Sequence, residues 1–284
     1  MLPISVAPTV SDLRNIVANW RKEKNGIALV PTMGALHEGH LSLVHLARQR
    51  ADHVVVSIFV NPTQFAPNED FSKYPRTFED DCAKLAGLAD LVFAPMIEEM
   101  YPPGAATTVV PTGPAMVGLE DRFRPTHFQG VATVVAKLLL QVTPDLAVFG
   151  EKDYQQLKVV TRMATDLCLP VEIVPAPTLR EPDGLAMSSR NRYLSSEERR
   201  IAPALFGILT RAAADICAGR GRDFNRVLDE ARSALTDVGF IIDYVEARDA
   251  ETLAQVEGGF GAAPLRLLAA ARLGTTRLID NVAV

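Results

Sequence analysis

The chain has little of what marks secreted or membrane proteins. Its three cysteines, Cys82, Cys168 and Cys217, lie far apart and form no CxxC pair, which favours the reducing cytoplasm over a disulfide framework. The first twenty residues carry charges and no continuous apolar stretch, so no signal peptide is expected. The longest aliphatic run, residues 54–60, is too short to span a bilayer. We therefore expect a cytoplasmic protein without a membrane partner.

The chain also has no large excess of charge of either sign. The formal net charge is -5 over 284 residues, which gives no basic surface for nucleic acid or anionic lipid. Any anionic ligand must then be held by a local basic site. Hydrophobic residues make up 48% of the chain, enough to bury the core of one large domain or of two unequal ones.

Apolar strands alternate with amphipathic helices up to residue 178. The pattern predicts strands at 26–30, 54–60, 91–93, 145–149 and 171–174, and helices at 11–23 (with Ser11 as N-cap), 40–51, 77–88, 129–142 and 153–168. Because the strands are apolar on both faces, we expect an α/β fold with a doubly wound (Rossmann-like) parallel sheet. Ligands of such sheets bind outside the carboxyl ends of the strands.

The pattern changes after residue 178. Two helices are predicted at 196–217 and 223–237, and strands at 240–247, 265–272 and 276–282, with a hairpin at Gly274. Consecutive helices followed by neighbouring strands are typical of an α+β domain. The chain is therefore predicted to contain a Rossmann-like domain, residues 1–178, and a smaller α+β domain, residues 179–284.

The segment PTMGALHEGH, residues 31–40, joins the first predicted strand to its helix. Gly34 permits a sharp turn and close approach of a ligand. His37 and His40 are three apart at the start of a helix, so they share one face, and free N–H groups at that helix end favour anions. This combination predicts a nucleotide phosphate site that holds charge during attack on the α-phosphate. A metal site is the alternative, but no third His or Cys has suitable spacing.

A second segment, GEKDYQQ, follows the strand predicted at 145–149. Lys152 lies where this strand passes into a helix, and its ammonium group can neutralise phosphate oxygens. Asp153 either caps the next helix or binds a ribose hydroxyl. A polar loop with a helix cap explains this segment equally well when it is taken alone.

Two further segments carry polar side chains suited to ligands. MSSRN, residues 187–191, offers two hydroxyls and a guanidinium that can clasp pyrophosphate, although a solvated linker is the alternative. VNPTQF, residues 60–65, offers the amides of Asn61 and Gln64 to a substrate's hydroxyls or carboxylate. An ordinary Asn-Pro turn would account for Asn61, but less readily for Gln64. His127 is expected to cap a helix or to help a loop cover the site.

PTMGALHEGH resembles the HIGH-type signature of nucleotidyl-transferring α/β proteins, and MSSRN resembles their KMSKS-type loop. Together with VNPTQF, VFGEKDYQQL, LAMSSRNRYL and the C-terminal RLIDN, these segments make nearly the whole chain resemble the pantothenate synthetases. The resemblance implies an AMP-forming ligase that condenses (R)-pantoate with β-alanine. It also implies a pantoyl-adenylate intermediate made from ATP, release of AMP and pyrophosphate, a requirement for Mg²⁺, and a homodimer.

The same resemblance implies roles for individual residues. His40, as the acid/base group, would be catalytic together with His37 and Lys152. Residues implied to bind ATP are Met33, Gly34, His37, His40, Gly150, Glu151, Lys152, Asp153, Leu179, Met187, Ser188, Ser189 and Arg190. Asn61, Gln64 and Gln156 would bind substrate, and no protein metal site is expected. Thr126 and Gln129 depart from the family pattern, so the role of their loop stays open.

Two other classes of function compete with this interpretation. One is a nucleotidylyltransferase or a shortened aminoacyl-tRNA synthetase, although the latter expects a basic face that the charge of -5 does not supply. The other is a sensor that binds ATP without turnover. No side chain in the motifs looks like a covalent nucleophile, so direct transfer between bound substrates is expected.

Overall fold

The computed structural model describes residues 2–65, 71–219, 224–256 and 264–284. The strands are β1 (Ser5–Ala7), β2 (Ile27–Thr32), β3 (His53–Ile58), β4 (Leu91–Phe93), β5 (Leu146–Gly150), β6 (Glu172–Ala176), β7 (Ile241–Asp249), β8 (Leu265–Leu273) and β9 (Thr276–Ala283). The helices are α1 (Val10–Lys22), α2 (Glu38–Arg48), α3 (Phe78–Leu85), α4 (Ile97–Met100), α5 (Glu120–Phe123), α6 (His127–Val142), α7 (Tyr154–Asp166), α8 (Ser196–Ile201), α9 (Ala204–Cys217) and α10 (Phe224–Asp237). Short 3-10 helices include Pro62–Gln64, Glu151–Asp153 and Ser189–Tyr193.

The chain divides into two compact units. The first comprises Met1–Pro111, Arg124–Glu151 and Val159–Pro177. The second comprises Thr112–Phe123, Lys152–Lys158 and Thr178–Val284. Two short segments that precede residue 178 therefore belong with the C-terminal part of the chain.

The first unit is built on a parallel sheet with the strand order β1-β4-β3-β2-β5-β6. β2, β3 and β4 are apolar on both faces and almost wholly buried. From β2 the chain runs outward through β3 to β4, and β5 then starts on the other side of β2, so the order reverses between β2 and β5. Ligands of doubly wound sheets bind at the carboxyl ends of strands where such a reversal occurs. The segments that follow Thr32 and Gly150 begin at this point.

Helices cover both faces of this sheet. Leu41 and Val44 of α2 and Leu85 of α3 form one apolar cluster with alternate residues of the central strands. α6 packs on β2 and contacts α1, and its buried residues are absent from that cluster, which places it on the other face. The predicted doubly wound α/β class is confirmed.

An antiparallel sheet of three strands, in the order β7-β8-β9, organises the second unit. α9 and α10 pack on it through an apolar core that includes Leu209, Leu235 and Leu267. β8 and β9 form the predicted hairpin, in which Leu273 pairs with Thr276 and Gly274 has a φ of 56°. The smaller α+β part of the predicted fold is likewise confirmed.

The elements predicted for residues 1–178 are present with bounds shifted by up to three residues, and the edge strand β1 is an addition. The N-cap of α1 is Thr9, not Ser11, because Thr9 Oγ1 accepts the N–H of Asp12 at 3.1 Å. The helix predicted over 196–217 is two helices, since Pro203 has no N–H to donate and interrupts it. Residue 223, the predicted start of the next helix, lies outside the described residues. Within the described ranges, no helix has the length and apolar character needed to cross a membrane.

Asp145 ties three segments of the first unit together. Its carboxylate pairs with Arg21 of α1 at 2.7 Å and accepts the N–H of Ile27, the first residue of β2, at 2.7 Å. Burial raises the pKa of Asp145, but the hydrogen bonds from Arg21 and Ile27 outweigh burial and hold the pKa below its ordinary value of 3.8. The ionised carboxylate therefore stabilises the folded chain.

We expect Asp145→Asn to lower the free energy of unfolding by about 1 kcal/mol at neutral pH. The pKa of Asp145 is lower in the folded state than its ordinary value of 3.8. The extra stability of the wild type is therefore complete above about pH 3.8, and it is lost as the pH falls through the lower pKa of the folded state. Urea unfolding of both proteins between about pH 7 and about pH 2.5 measures this difference. A difference that widens on acidification would contradict the prediction.

Candidate active site

The turn between β2 and α2 carries the predicted histidine segment. Gly34 and Ala35 have φ values of 80° and 51°, so the backbone turns sharply after β2. A Cβ at Gly34 would lie 3.1 Å from both Ile58 Cγ2 and Asp81 Oδ2, so this position favours glycine for space as well as for backbone conformation. The turn leads into α2, which begins at Glu38 and not at residue 40 as predicted.

A buried carboxylate holds this turn in place. Asp81 of α3 has no exposed surface and accepts the N–H groups of Ala35 at 2.9 Å and Leu36 at 2.8 Å, together with the hydroxyl of Thr77 at 3.1 Å. Lys84 donates to the carbonyl of Leu36 at 2.7 Å. The sequence does not predict this role, because three consecutive acidic residues begin α3 and nothing in their order shows which one turns inward.

The structure brings the two predicted imidazoles together. The ring centroids of His37 and His40 are 4.0 Å apart. His37 is the N-cap of α2 and its Nδ1 accepts the N–H of Gly39 at 3.1 Å, while His40 Nδ1 accepts the N–H of His37 at 3.4 Å. Because each Nδ1 accepts a hydrogen bond, each neutral ring carries its own hydrogen on Nε2.

These bonds correct one part of the sequence interpretation. Free backbone N–H groups were expected to face an anion at the start of α2, but two N–H groups here donate to the imidazoles. The prediction of an anion site at this turn therefore rests on the Nε2–H groups of His37 and His40 instead of on those amides.

Asn61 lies three residues after the end of β3 and caps the 3-10 helix Pro62–Gln64. It is 1% exposed, and its Oδ1 accepts hydrogen bonds from the hydroxyls of Thr63 and Tyr101. Its Nδ2 donates to Gln64 Oε1 at 3.1 Å and to the carbonyl of Gly130 at 3.2 Å. These bonds make Asn61 a support for Gln64, and its predicted contact with a substrate stays a prediction.

Gln64 lies beside the histidine turn. Its Nε2 donates to Met33 Sδ at 3.0 Å, so two residues predicted from separate motifs are in contact. Its carbonyl accepts from His127 Nδ1 at 2.9 Å and from Arg124 at 3.3 Å. His127 also accepts from Arg124 through Nε2 at 3.3 Å, which gives a neutral ring with its hydrogen on Nδ1. His127 thus anchors the Gln64 segment instead of capping α6.

α6 meets this segment backbone to backbone at Gly130. A Cβ there would overlap the carbonyl oxygen of Thr63 and lie 2.7 Å from the amide nitrogen of Gln64. Two neighbouring residues have modest contacts: Thr126 is the N-cap of α6 without a side-chain capping bond, and Gln129 contacts Thr108 Oγ1 at 3.4 Å. Only glycine at position 130 allows Gln64 its observed place.

The second predicted phosphate segment follows β5 directly. β5 ends at Gly150, and Glu151–Asp153 forms a 3-10 turn before α7. Lys152 belongs to the second unit, where its Nζ lies 3.6 Å from Asp153 Oδ1 and its carbonyl accepts from Asn281 Nδ2 at 2.9 Å. Asp153 is therefore paired with the lysine whose charge was predicted to meet phosphate.

The adjacent glutamines of α7 differ in their surroundings. Gln155 is 4% exposed, donates to the carbonyl of Ala115 at 2.6 Å and accepts the N–H of Glu120 at 3.0 Å. It fastens residues 112–123 to the start of α7. Gln156, the predicted substrate residue, is only half-buried.

The MSSRN segment forms a tight turn in the second unit. Ser188 caps the 3-10 helix Ser189–Tyr193, and its Oγ accepts the N–H of Arg190 at 3.2 Å. The preceding residues fold back on themselves, because the N–H of Met187 donates to the carbonyl of Leu179 at 3.0 Å. Both predicted ATP-binding residues at the ends of this loop are thus paired through their backbones.

A doubly wound sheet whose order reverses beside a pair of hydrogen-donating imidazoles is typical of an α/β enzyme that binds an anionic ligand. A profile of the family described as pantoate-beta-alanine ligase matches residues 5–283. The pantothenate synthetase of Rhodopseudomonas palustris (strain HaA2) is 57% identical over 283 residues, 99% of each chain.

Solved structures agree. The crystal structure of pantothenate synthetase from Thermus thermophilus is similar at a TM-score of 0.90 and 48% identity, covering 98% of this chain and 99% of that one. Pantoate-beta-alanine ligase from Francisella tularensis, complexed with beta-gamma ATP and beta-alanine, is similar at 0.79 and 35% identity, covering 99% and 97%. The chain belongs to the pantoate-beta-alanine ligase family, which confirms the predicted family and the prediction of a ligase.

We expect Gly130→Ala to lower the ligase rate by about 10- to 100-fold, because the added methyl displaces Thr63 and Gln64 and a shift of about 1 Å in a positioned group costs that much. Gly207→Ala is the matched control, since a Cβ there meets nothing within 4 Å. It should keep the wild-type rate and leave α9 unchanged or more stable by about 0.5–1 kcal/mol. Equal rates for both variants would show that the contact at Gly130 does not govern the site.

Proposed function

We propose that this chain condenses pantoate with β-alanine to give pantothenate, consuming ATP and releasing AMP and pyrophosphate. The observation that carries the proposal is the family match over residues 5–283, joined to the two imidazoles that follow β2 at the point where the strand order reverses. The complex of the Francisella relative with beta-gamma ATP and beta-alanine supports the choice of ATP and β-alanine.

The first step is attack of a pantoate carboxylate oxygen on the α-phosphate, which forms pantoyl adenylate and expels pyrophosphate. Negative charge builds on the phosphate oxygens during this attack. The Nε2–H groups of His37 and His40 are suited to donate to those oxygens, because their Nδ1 atoms already accept backbone N–H groups. His40 is also the proposed acid/base group.

Pantoate is proposed to bind through amides. Gln64 is fixed by Asn61, Met33 and the anchored 3-10 turn, so its amide reaches a ligand at little cost in conformational entropy. Gln156 is the proposed second contact. Asn61 acts through Gln64, because its own amide is engaged inside the protein.

Cationic and hydroxyl side chains of the second unit are proposed to bind the phosphates of ATP. Lys152 and Arg190 would neutralise phosphate oxygens, and Ser188 and Ser189 would donate to the departing pyrophosphate. The remaining proposed ATP contacts are Met33, Gly34, Gly150, Glu151, Asp153, Leu179 and Met187.

The second step is attack of the β-alanine amine on the acyl carbon, which expels AMP and forms the amide. Direct transfer is proposed because no motif residue offers an activated nucleophile. Cys82, for example, is buried, and burial together with the nearby charges of Asp81 and Glu79 raises the pKa of its thiol, which opposes formation of a thiolate. The enzyme then contributes position and charge stabilisation.

Three further parts of the proposal rest on the resemblance or on composition. Mg²⁺ would accompany ATP as a counter-ion of its phosphates. The described part of the chain has no cluster of three His, Cys, Asp or Glu residues that could hold a metal, so no step is assigned to a protein-bound ion. A homodimer and a cytoplasmic location complete the proposal.

The reaction is tested by measuring AMP with pantoate alone, with β-alanine alone and with both. Turnover should require both substrates and yield one AMP per pantothenate. Pantoate alone should support exchange of pyrophosphate into ATP, because the adenylate forms before the amine attacks. ATP binding without AMP production would indicate a sensor, and AMP transfer to a phosphate ester would indicate a nucleotidylyltransferase.

Two substitutions of His40 separate its hydrogen bond to the backbone of His37 from its proposed role in catalysis. Asparagine places an oxygen near the position of Nδ1, so His40→Asn retains the acceptor for the N–H of His37 but lacks the Nε2 donor. We expect it to fold normally and to lower pyrophosphate exchange by about 10²–10³-fold. His40→Gln places its amide near Nε2 and should retain more activity than His40→Asn. The reverse order of activities would count against donation from Nε2.

A further inference from the structure

β9 buries two adjacent polar residues. Asp280 and Asn281 are 4% and 3% exposed, and neither belongs to the apolar core of the second unit. Buried polar groups are unfavourable unless they are hydrogen-bonded. Because successive residues of a strand point to opposite faces, the two side chains reach different segments of the chain.

Asn281 holds the turn that carries Lys152. Its Nδ2 donates to the carbonyl of Lys152 at 2.9 Å, and its Oδ1 accepts from Arg266 Nε at 2.6 Å. The guanidinium of Arg266 also stacks over the ring of Tyr154 at 4.2 Å. The residues on both sides of Asp153 are therefore attached to one pair of side chains on β8 and β9.

Asp280 holds the loop that ends in the Ser-Ser-Arg turn. Its carboxylate forms a bidentate ion pair with Arg180, with N–O distances of 2.7 and 2.9 Å. Arg180 in turn donates to the carbonyl of Gly184 at 3.1 Å and stacks over Phe206 at 3.6 Å. This pairing is among the more directional that side chains make, and it fixes the loop from residue 180 onward.

We propose that Asp280 and Asn281 are positioning residues that hold Lys152 and the segment 187–190 in a fixed relation within the second unit. The inference rests on the proposed function, in which both segments contact the phosphates of ATP. A buried ion pair is weak evidence for a purely stabilising role, whereas bonds directed at two ligand-binding loops from one strand set their geometry.

Asn281→Asp tests the hydrogen bond between Asn281 and the carbonyl of Lys152. The variant keeps the shape and the acceptor for Arg266, but it replaces the donor to the carbonyl of Lys152 with an oxygen. Pyrophosphate release measured in single turnovers with pantoate should fall by about 10- to 100-fold. The control is Asn15→Asp, which adds the same charge at an exposed position of α1 and should match the wild type. If Asn281→Asp does not fold, Asn281→Ala, which also removes the donor to the carbonyl of Lys152, takes its place.

A double-mutant cycle separates positioning from general destabilisation. If Asn281 acts through Lys152, then Asn281→Asp should cost less than about threefold in a Lys152→Ala background, since no ammonium group remains to be placed. An equal loss in both backgrounds, or no loss in the wild-type background, would overturn the inference. A wild-type protein that releases no pyrophosphate with pantoate and ATP would instead overturn the proposed function on which the inference rests.

Discussion

The buried carboxylate of Asp81 is the constraint on which the histidine site depends. A carboxyl group with no exposed surface is stable only when its oxygens are hydrogen-bonded, and here the partners are the backbone N–H groups of Ala35 and Leu36 and the hydroxyl of Thr77. The turn after β2 therefore has one favourable conformation. That conformation decides where α2 begins and so where His37 and His40 lie.

Hydrogen bonding inside the protein then decides what the imidazoles can donate. His37 and His40 accept backbone N–H groups at Nδ1, whereas His127 donates from Nδ1 to the carbonyl of Gln64. The neutral rings of His37 and His40 consequently carry their hydrogen on Nε2, whereas the neutral ring of His127 carries it on Nδ1. His37 and His40 therefore donate through Nε2, whereas His127 fixes the segment that carries the Gln64 amide.

Residues proposed to bind substrate alternate along this chain with residues that hold them in place. Asn61 precedes Gln64 by three residues, and Gln155 directly precedes Gln156. In each pair the side-chain amide of the first residue is buried and forms hydrogen bonds within the protein, while the second residue is less buried. Tyr101 belongs to the same kind of support: burial raises the pKa of its hydroxyl, which stays protonated and bonded to Asn61.

The sequence by itself determined the α/β class, the hairpin at Gly274 and the family, because these depend on periodicity, turn chemistry and short motifs that are local in the chain. It did not show that Gln155 is buried or single out Asp81, since burial depends on neighbours from distant segments. Only the tertiary structure decided that Gly130 lies against Thr63, and that Asn281 reaches Lys152. Such contacts join residues that are tens of positions or more apart, so the local pattern of the sequence does not predict them.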